Sequence, residues 1–164
     1  MKDYDVVILT DSRYVSPNKK NTYIENVLKE DRLVQIALEK LNIKTIKKDW
    51  NDSNFDWNRT KSALFRSTWD YFDKFLEFKN WLEKIKNKCN LINSYDQIKW
   101  NFDKHYLKDL ENWNLPVIES LFVYAKSNLL LKEIADQKKW KDIVVKPTVS
   151  GAARHTYKLK NSEI

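Results

Sequence analysis

The only glycine among the 164 residues is Gly151, in the run Val144-Val145-Lys146-Pro147-Thr148-Val149-Ser150-Gly151-Ala152-Ala153-Arg154-His155. Here a short apolar stretch gives way to small residues, a pattern suited to an anion cradle. Glycine accepts positive φ and lets backbone come close to a ligand, and successive N–H groups in such a turn can converge on an anion. Lys146 leads into the loop with a compact positive charge suited to phosphate, and Arg154 leaves it. The pattern predicts a phosphate-binding corner formed by Lys146, Ser150, Gly151, Ala152 and Arg154. A hairpin turn beside a surface lysine is the plain alternative, and the residues alone leave both open.

A second set of charged residues falls at the ends of apolar runs. Asp11 and Arg13 follow Asp5-Val6-Val7-Ile8-Leu9-Thr10, and Arg66 follows Ala63-Leu64-Phe65. Arginine grips a carboxylate through two parallel N–H donors, so Arg66 is a candidate clamp for a small carboxylate substrate, with Asp11 and Arg13 as further candidate substrate contacts. The competing reading makes Asp11 and Arg13 a strand-end cap and salt bridge. It pairs Arg66 with Asp70 or with a second domain, and makes Trp69 a packing anchor. His105 and His155 are the only imidazoles and Cys89 the only thiol. A zinc site needs about four clustered ligands, which their spacing does not supply, and Cys89 reads as a structural thiol. A single glycine rules out the Gly-x-x-x-x-Gly-Lys and Gly-x-Gly-x-x-Gly nucleotide motifs by arithmetic. The seven tryptophans read as core anchors rather than base-stacking platforms.

Elements must hold these residues in place. The apolar run over 5–10 predicts a buried strand, and the spacing of Ile24, Val27, Leu28, Leu33, Ile36, Ala37 and Leu41 predicts a helix over 22–41. Short strands follow at 43–46, 63–65 and 91–92, with an aromatic loop over 50–57. Phe75, Phe78, Trp81, Leu82 and Ile85 form one apolar helical stripe. This alternation reads as an open α/β sheet, in which ligands gather at the carboxyl ends of strands. Further on, Asp103 is a candidate N-cap for a helix over 104–113 that Leu115-Pro116 ends. A strand over 117–124, a helix over 129–138, a strand over 142–146 and a hairpin partner over 156–159 complete the expectation.

Composition narrows the classes. The chain is 42% hydrophobic, with 7 Trp, 8 Tyr and 7 Phe, so it can build a core and is not expected to be disordered. No run reaches the roughly 18 apolar residues of a membrane span, and no secretory leader is evident. With a single cysteine, a reducing compartment follows, and the cytoplasm is the expected location. The net charge of +7 invites a nucleic-acid partner, yet only 5 of the 30 basic residues are arginine and they are interleaved with acids. A nucleic-acid face clusters its charge and leans on arginine, so a soluble basic surface is the better reading.

Several segments in order carry a likeness: Thr10-Asp11-Ser12-Arg13, Phe65-Arg66-Ser67-Thr68-Trp69-Asp70-Tyr71, Trp100-Asn101-Phe102-Asp103-Lys104, Leu115-Pro116 and Val144-Val145-Lys146-Pro147. Together they resemble the ATP-grasp superfamily, in particular ligases related to glutathione synthetase and the glutamate ligases that modify ribosomal proteins. The resemblance implies an α/β fold in which residues 1–97 form an open, mostly parallel sheet flanked by helices. Residues 98–164 would form the first, incomplete α+β lobe. It implies that Lys104 and Lys146 contact ATP phosphates beneath a loop running from Ser150 to Arg154. The implied chemistry is phosphoryl transfer from ATP to a carboxylate, giving an acyl phosphate that an amine attacks. Magnesium would bridge the phosphates on ligands further along such proteins. Since the chain stops at Ile164, it is expected to bind nucleotide weakly and not to ligate by itself, with a companion chain carrying the missing lobe as one partner. The alternative is a basic α/β module that binds RNA or a protein without catalysis.

Overall fold

A computed structural model describes residues 2–19 and 21–164, and the chain divides into two compact units, 1–98 and 99–164.

The first unit is built on β1 (Tyr4–Thr10), β2 (Thr45–Asp49), β3 (Thr60–Ser67) and β4 (Asn90–Ile92), with α1 (Thr22–Glu39) and α2 (Phe75–Ile85) between them. The strands form one parallel sheet in the order β2-β1-β3-β4. Central β1 is buried because its run Val7, Ile8 and Leu9 has neighbours on both edges and both faces. Successive side chains of β3 point to opposite faces, which locates the helices. Phe65 meets Phe78 and Trp81 of α2, whereas Arg66 reaches Asp31 of α1. The fold is thus α/β, with helices on both faces of an open, parallel sheet.

Local chemistry sets the helix ends. Asn21 caps α1 by accepting from the Ile24 N–H at 2.9 Å. At the other end Asn42 takes a left-handed φ of 59°, and the Ile43 N–H returns to the Leu38 carbonyl, a helix-closing pattern that asparagine tolerates. That closure uses residues 42–44, so β2 starts at Thr45, two residues later than its apolar pattern predicts. β2 continues through Lys47 and Lys48 because it pairs with β1 out to Thr10↔Asp49. The stripe expected on α2 is observed, with Phe78, Trp81, Leu82 and Ile85 all buried.

The second unit contains α4 (Tyr106–Asn112), α5 (Leu131–Lys138) and an antiparallel hairpin of β5 (Asp142–Val145) with β6 (Tyr157–Lys160). The short α3 (Tyr95–Asn101), absent from the sequence reading, precedes α4. Three expectations are corrected here. The helix expected from 104 starts at Tyr106. Asp103 does not cap it through the usual geometry but accepts from the His105 N–H at 3.0 Å and contacts its imidazole at 2.7 Å. The strand expected over 117–124 is not formed, for among the described residues no ladder pairs with this segment, and β-propensity without a neighbouring strand makes no sheet. Of the tryptophans, Trp50, Trp57 and Trp81 are buried, but Trp113 is 61% exposed and stacks on Trp100 instead.

Candidate functional site

The sheet order determines where a crevice forms in the first unit. From β1 the chain leaves through α1 toward β2, and from the adjacent β3 it leaves through α2 toward β4 on the other side. Neighbouring strands whose connections depart in opposite directions leave an opening at their carboxyl ends, where open α/β sheets bind ligands. The register confirms a local irregularity there: Leu9 pairs with Phe65 and Thr10 with Ser67, so Arg66 is the extra residue of a bulge. Bulges re-aim side chains and recur beside active sites.

Asp11 closes β1, is fully buried, and accepts from the backbone N–H of Arg13 at 3.0 Å. Its two oxygens also take the Arg13 guanidinium bidentately, from Nε at 2.9 Å and Nη2 at 2.7 Å. That pairing holds the guanidinium charged well above the ordinary arginine range. The remaining edge of Arg13 stays open, its side chain 56% exposed. Two further acids stand at equivalent places. Asp49, missed in the sequence reading, ends β2 as Asp11 follows β1, and Asp70, read there only as a candidate partner of Arg66, follows β3, a recurrence of strand-end aspartates that was visible in the residues. Burial pushes the Asp49 carboxyl up, and the negative charges of Asp70 and Asp11 push it further. Asp70 accepts from the buried Trp50 Nε1 at 2.6 Å and pairs with Lys74 at 2.7 Å.

Arg66 does not meet Asp70. Its Nε lies 3.4 Å from Asp31 and its Nη2 3.6 Å from Glu30, both on α1. Asp31 is 2% exposed and also pairs with Lys47 of β2 at 2.7 Å, which makes it the hub of a buried charge network. Nothing in the residues marked it, since an aspartate within an amphipathic helix reads as part of a solvated stripe.

In the second unit the loop after β5 folds back on Lys104. The Lys104 ammonium donates to the Thr148 carbonyl at 3.1 Å and the Ser150 carbonyl at 3.0 Å, and its backbone N–H also donates to Thr148. An ammonium has three N–H donors, so one is left for a ligand. Burial lowers the Lys104 pKa and the nearby charge of Lys146 lowers it further, with Asp103 opposing. The two ammonium groups therefore stand close enough to repel, although they are 42 residues apart in the chain. Such an arrangement favours a shared anion.

The loop itself corrects the role assigned to glycine. Gly151 is not in the left-handed region; Ala152, Ala153 and His155 are, at φ of 50°, 56° and 51°. For residues with a Cβ that conformation costs roughly 1–2 kcal/mol each. Hydrogen bonds within the loop offset it, from Ser150 Oγ to the Arg154 carbonyl at 2.8 Å and from Arg154 N to the Gly151 carbonyl at 3.0 Å. Cys89 is half-buried and burial pushes its thiol up, which suits a structural residue. Among the described residues no group of three or more His, Cys, Asp or Glu side chains could hold a metal. Nor, among those residues, is any helix long and apolar enough to cross a membrane.

An open parallel α/β domain with paired charges at its switch point, followed in sequence by a hairpin-bearing unit, defines the class. The model of the N-terminal domain of D-cycloserine synthetase DcsG matches residues 6–93, and the chain belongs to that family. The cycloserine biosynthesis protein DcsG of Streptomyces lavendulae is 33% identical over 103 residues, 61% of this chain and 34% of that protein. The crystal structure of D-cycloserine synthetase DcsG superposes with a TM-score of 0.80 at 24% identity, over 96% of this chain and 50% of that one. That likeness carries the fold. The chain therefore spans about a third of the length of the curated relative and half of the solved chain.

Proposed function

We propose that this chain is the N-terminal portion of an ATP-dependent carboxylate–amine ligase of the ATP-grasp kind. Two of the residues in this reading, Lys104 and Lys146, meet the nucleotide phosphates, and the Ser150-Gly151-Ala152-Ala153-Arg154 loop covers them. The observation that carries it is the half-buried Lys104 ammonium, repelled by Lys146 and laced to that loop. Family membership in a synthetase domain supports a ligase context.

Phosphoryl transfer to a carboxylate requires positioning and charge neutralisation more than a protein nucleophile. Lys104 and Lys146 supply two positive charges to the leaving phosphates. In the first unit Arg13, held rigidly by Asp11, offers its open edge to the substrate carboxylate. Arg66 was a candidate for the same task, but with Asp31 and Glu30 as neighbours it serves the α1 network instead. Magnesium normally accompanies ATP in such chemistry; among the described residues no group of three or more His, Cys, Asp or Glu side chains is gathered to hold it.

The test is calorimetric titration of ATP into the 164-residue chain and its variants. Lys146→Ala and Lys104→Ala are each expected to weaken ATP binding about tenfold or more, the value of a charge-assisted hydrogen bond. Unchanged affinity in both variants, with salt-sensitive binding of RNA instead, would select the non-catalytic binding module.

The depressed Lys104 adds a pH signature. Bound phosphate favours the protonated ammonium, so ATP affinity should fall as pH rises through a range where an ordinary lysine is still charged. Lys104→Arg keeps its charge at that pH and is expected to move the loss to higher pH. Affinity measured from neutral to alkaline pH in both proteins checks this, and superimposable profiles would refute it.

A further inference from the structure

At the carboxyl ends of β1 and β3, aromatic side chains stand near Arg13 that carboxylate binding by Arg13 does not use. Tyr14 is buried, with the Arg13 guanidinium carbon 5.3 Å from its ring centre. Trp69 meets Tyr14 edge to face at 5.7 Å, and Tyr23 from the first turn of α1 lies 6.4 Å from Trp69. Trp69 sits between Thr68 and Asp70, both 8% exposed, yet is itself 37% exposed, and Tyr23 is 58% exposed. This part-exposed indole, whose sequence neighbours are buried, is joined to the Asp11-held guanidinium through Tyr14, which meets both.

We propose that Trp69, backed by Tyr14 and Tyr23, is a specificity-determining wall that receives the flat or apolar flank of a carboxylate held by Arg13. The proposal rests on the assignment of a carboxylate substrate to these strand ends. Arg13 supplies the charge, which every carboxylate shares, and Trp69 supplies the selection among them. Aromatic faces reward planar groups at offset or edge-on geometry, and they reward a bare acetate group hardly at all.

Two probes separate the parts: acetate, which offers only the charge, and phenylacetate, which adds a flat flank. Titration of the full chain, followed through the tryptophan indole NMR signals, is expected to show phenylacetate binding about tenfold tighter than acetate. Trp69→Ala should bring that ratio close to one without weakening acetate, and Trp69→Phe should keep most of it. Arg13→Ala should weaken both probes alike. If Trp69→Ala lowers both affinities equally, or leaves the ratio intact, Trp69 is a packing anchor and the wall is overturned. If Arg13→Ala changes neither probe, the carboxylate assignment itself fails, and with it the site the wall belongs to.

Discussion

Trp50→Ala is expected to leave the first unit largely unfolded at physiological temperature. Trp50 is fully buried at the carboxyl end of β2, where its backbone N–H donates to Thr10 at 2.9 Å. Its ring meets Phe78 at 5.2 Å and Trp81 at 5.5 Å, and Trp57 and Phe65 pack on Trp81 in turn. Truncation empties the centre of that cluster, at a cost of about 3–5 kcal/mol. It also takes the indole donor from Asp70, which is 8% exposed and keeps only Lys74, adding about 1–3 kcal/mol. Domains of this size hold about 5–15 kcal/mol in all. Trp50→Phe keeps a ring against Phe78 and loses the N–H, so it should cost much less. Urea unfolding of the three proteins, read by far-ultraviolet circular dichroism, checks the order. A Trp50→Ala midpoint equal to the parent's would mean the cluster is not the core.

Which parts of this fold were legible follows from what each feature depends on. β1 and α2 carry their signal locally, in an unbroken apolar run and in a stripe at helical spacing, and the structure places both where those patterns lie. β2 is masked by its own composition, because Lys47 and Lys48 occupy strand positions whose identity comes from pairing with β1. The 117–124 segment errs the other way: its residues favour a strand, but Ile118 is 88% exposed and among the described residues no strand pairs with it. The hairpin of β5 and β6 was readable since both strands lie near each other in sequence and are joined by one loop, residues 146–156.

At the carboxyl ends of β1 and β3, the strand-end position of Asp11 and Arg13 was legible, and a cap and salt bridge there stood among the alternatives. Their neighbours were not. The bulge at Arg66 arises from the register between β1 and β3, and nothing in either strand alone encodes it. The left-handed residues of the phosphate loop were likewise misplaced. Sequence points to Gly151 as the residue free to turn, while hydrogen bonds donated by Ser150 and by Lys104 bend the alanines instead. Long-range partners, rather than residue type, decide such conformations.

The same principle sets the second large effect, at Asp31. Its carboxylate is buried on α1 with Lys47 at 2.7 Å as its close partner and Arg66 at a looser 3.4 Å. Lys47→Met removes the near charge and leaves the carboxylate in a low-dielectric site with only the looser contact. Breaking a buried pair in this way costs about 3–5 kcal/mol. Arg66→Ala removes the weaker, partly exposed contact and should cost less. Replacing both partners at once reverses the logic: Asp31→Leu combined with Lys47→Met removes the unpaired charge and lets apolar atoms fill the space, so stability should return close to that of the parent. Denaturant unfolding of the parent, Asp31→Leu, Lys47→Met and the double variant forms a complete cycle. Additive losses in the double variant would show that Asp31 and Lys47 stabilise the unit through separate contacts, and the network drawn here between α1, β2 and β3 would be wrong.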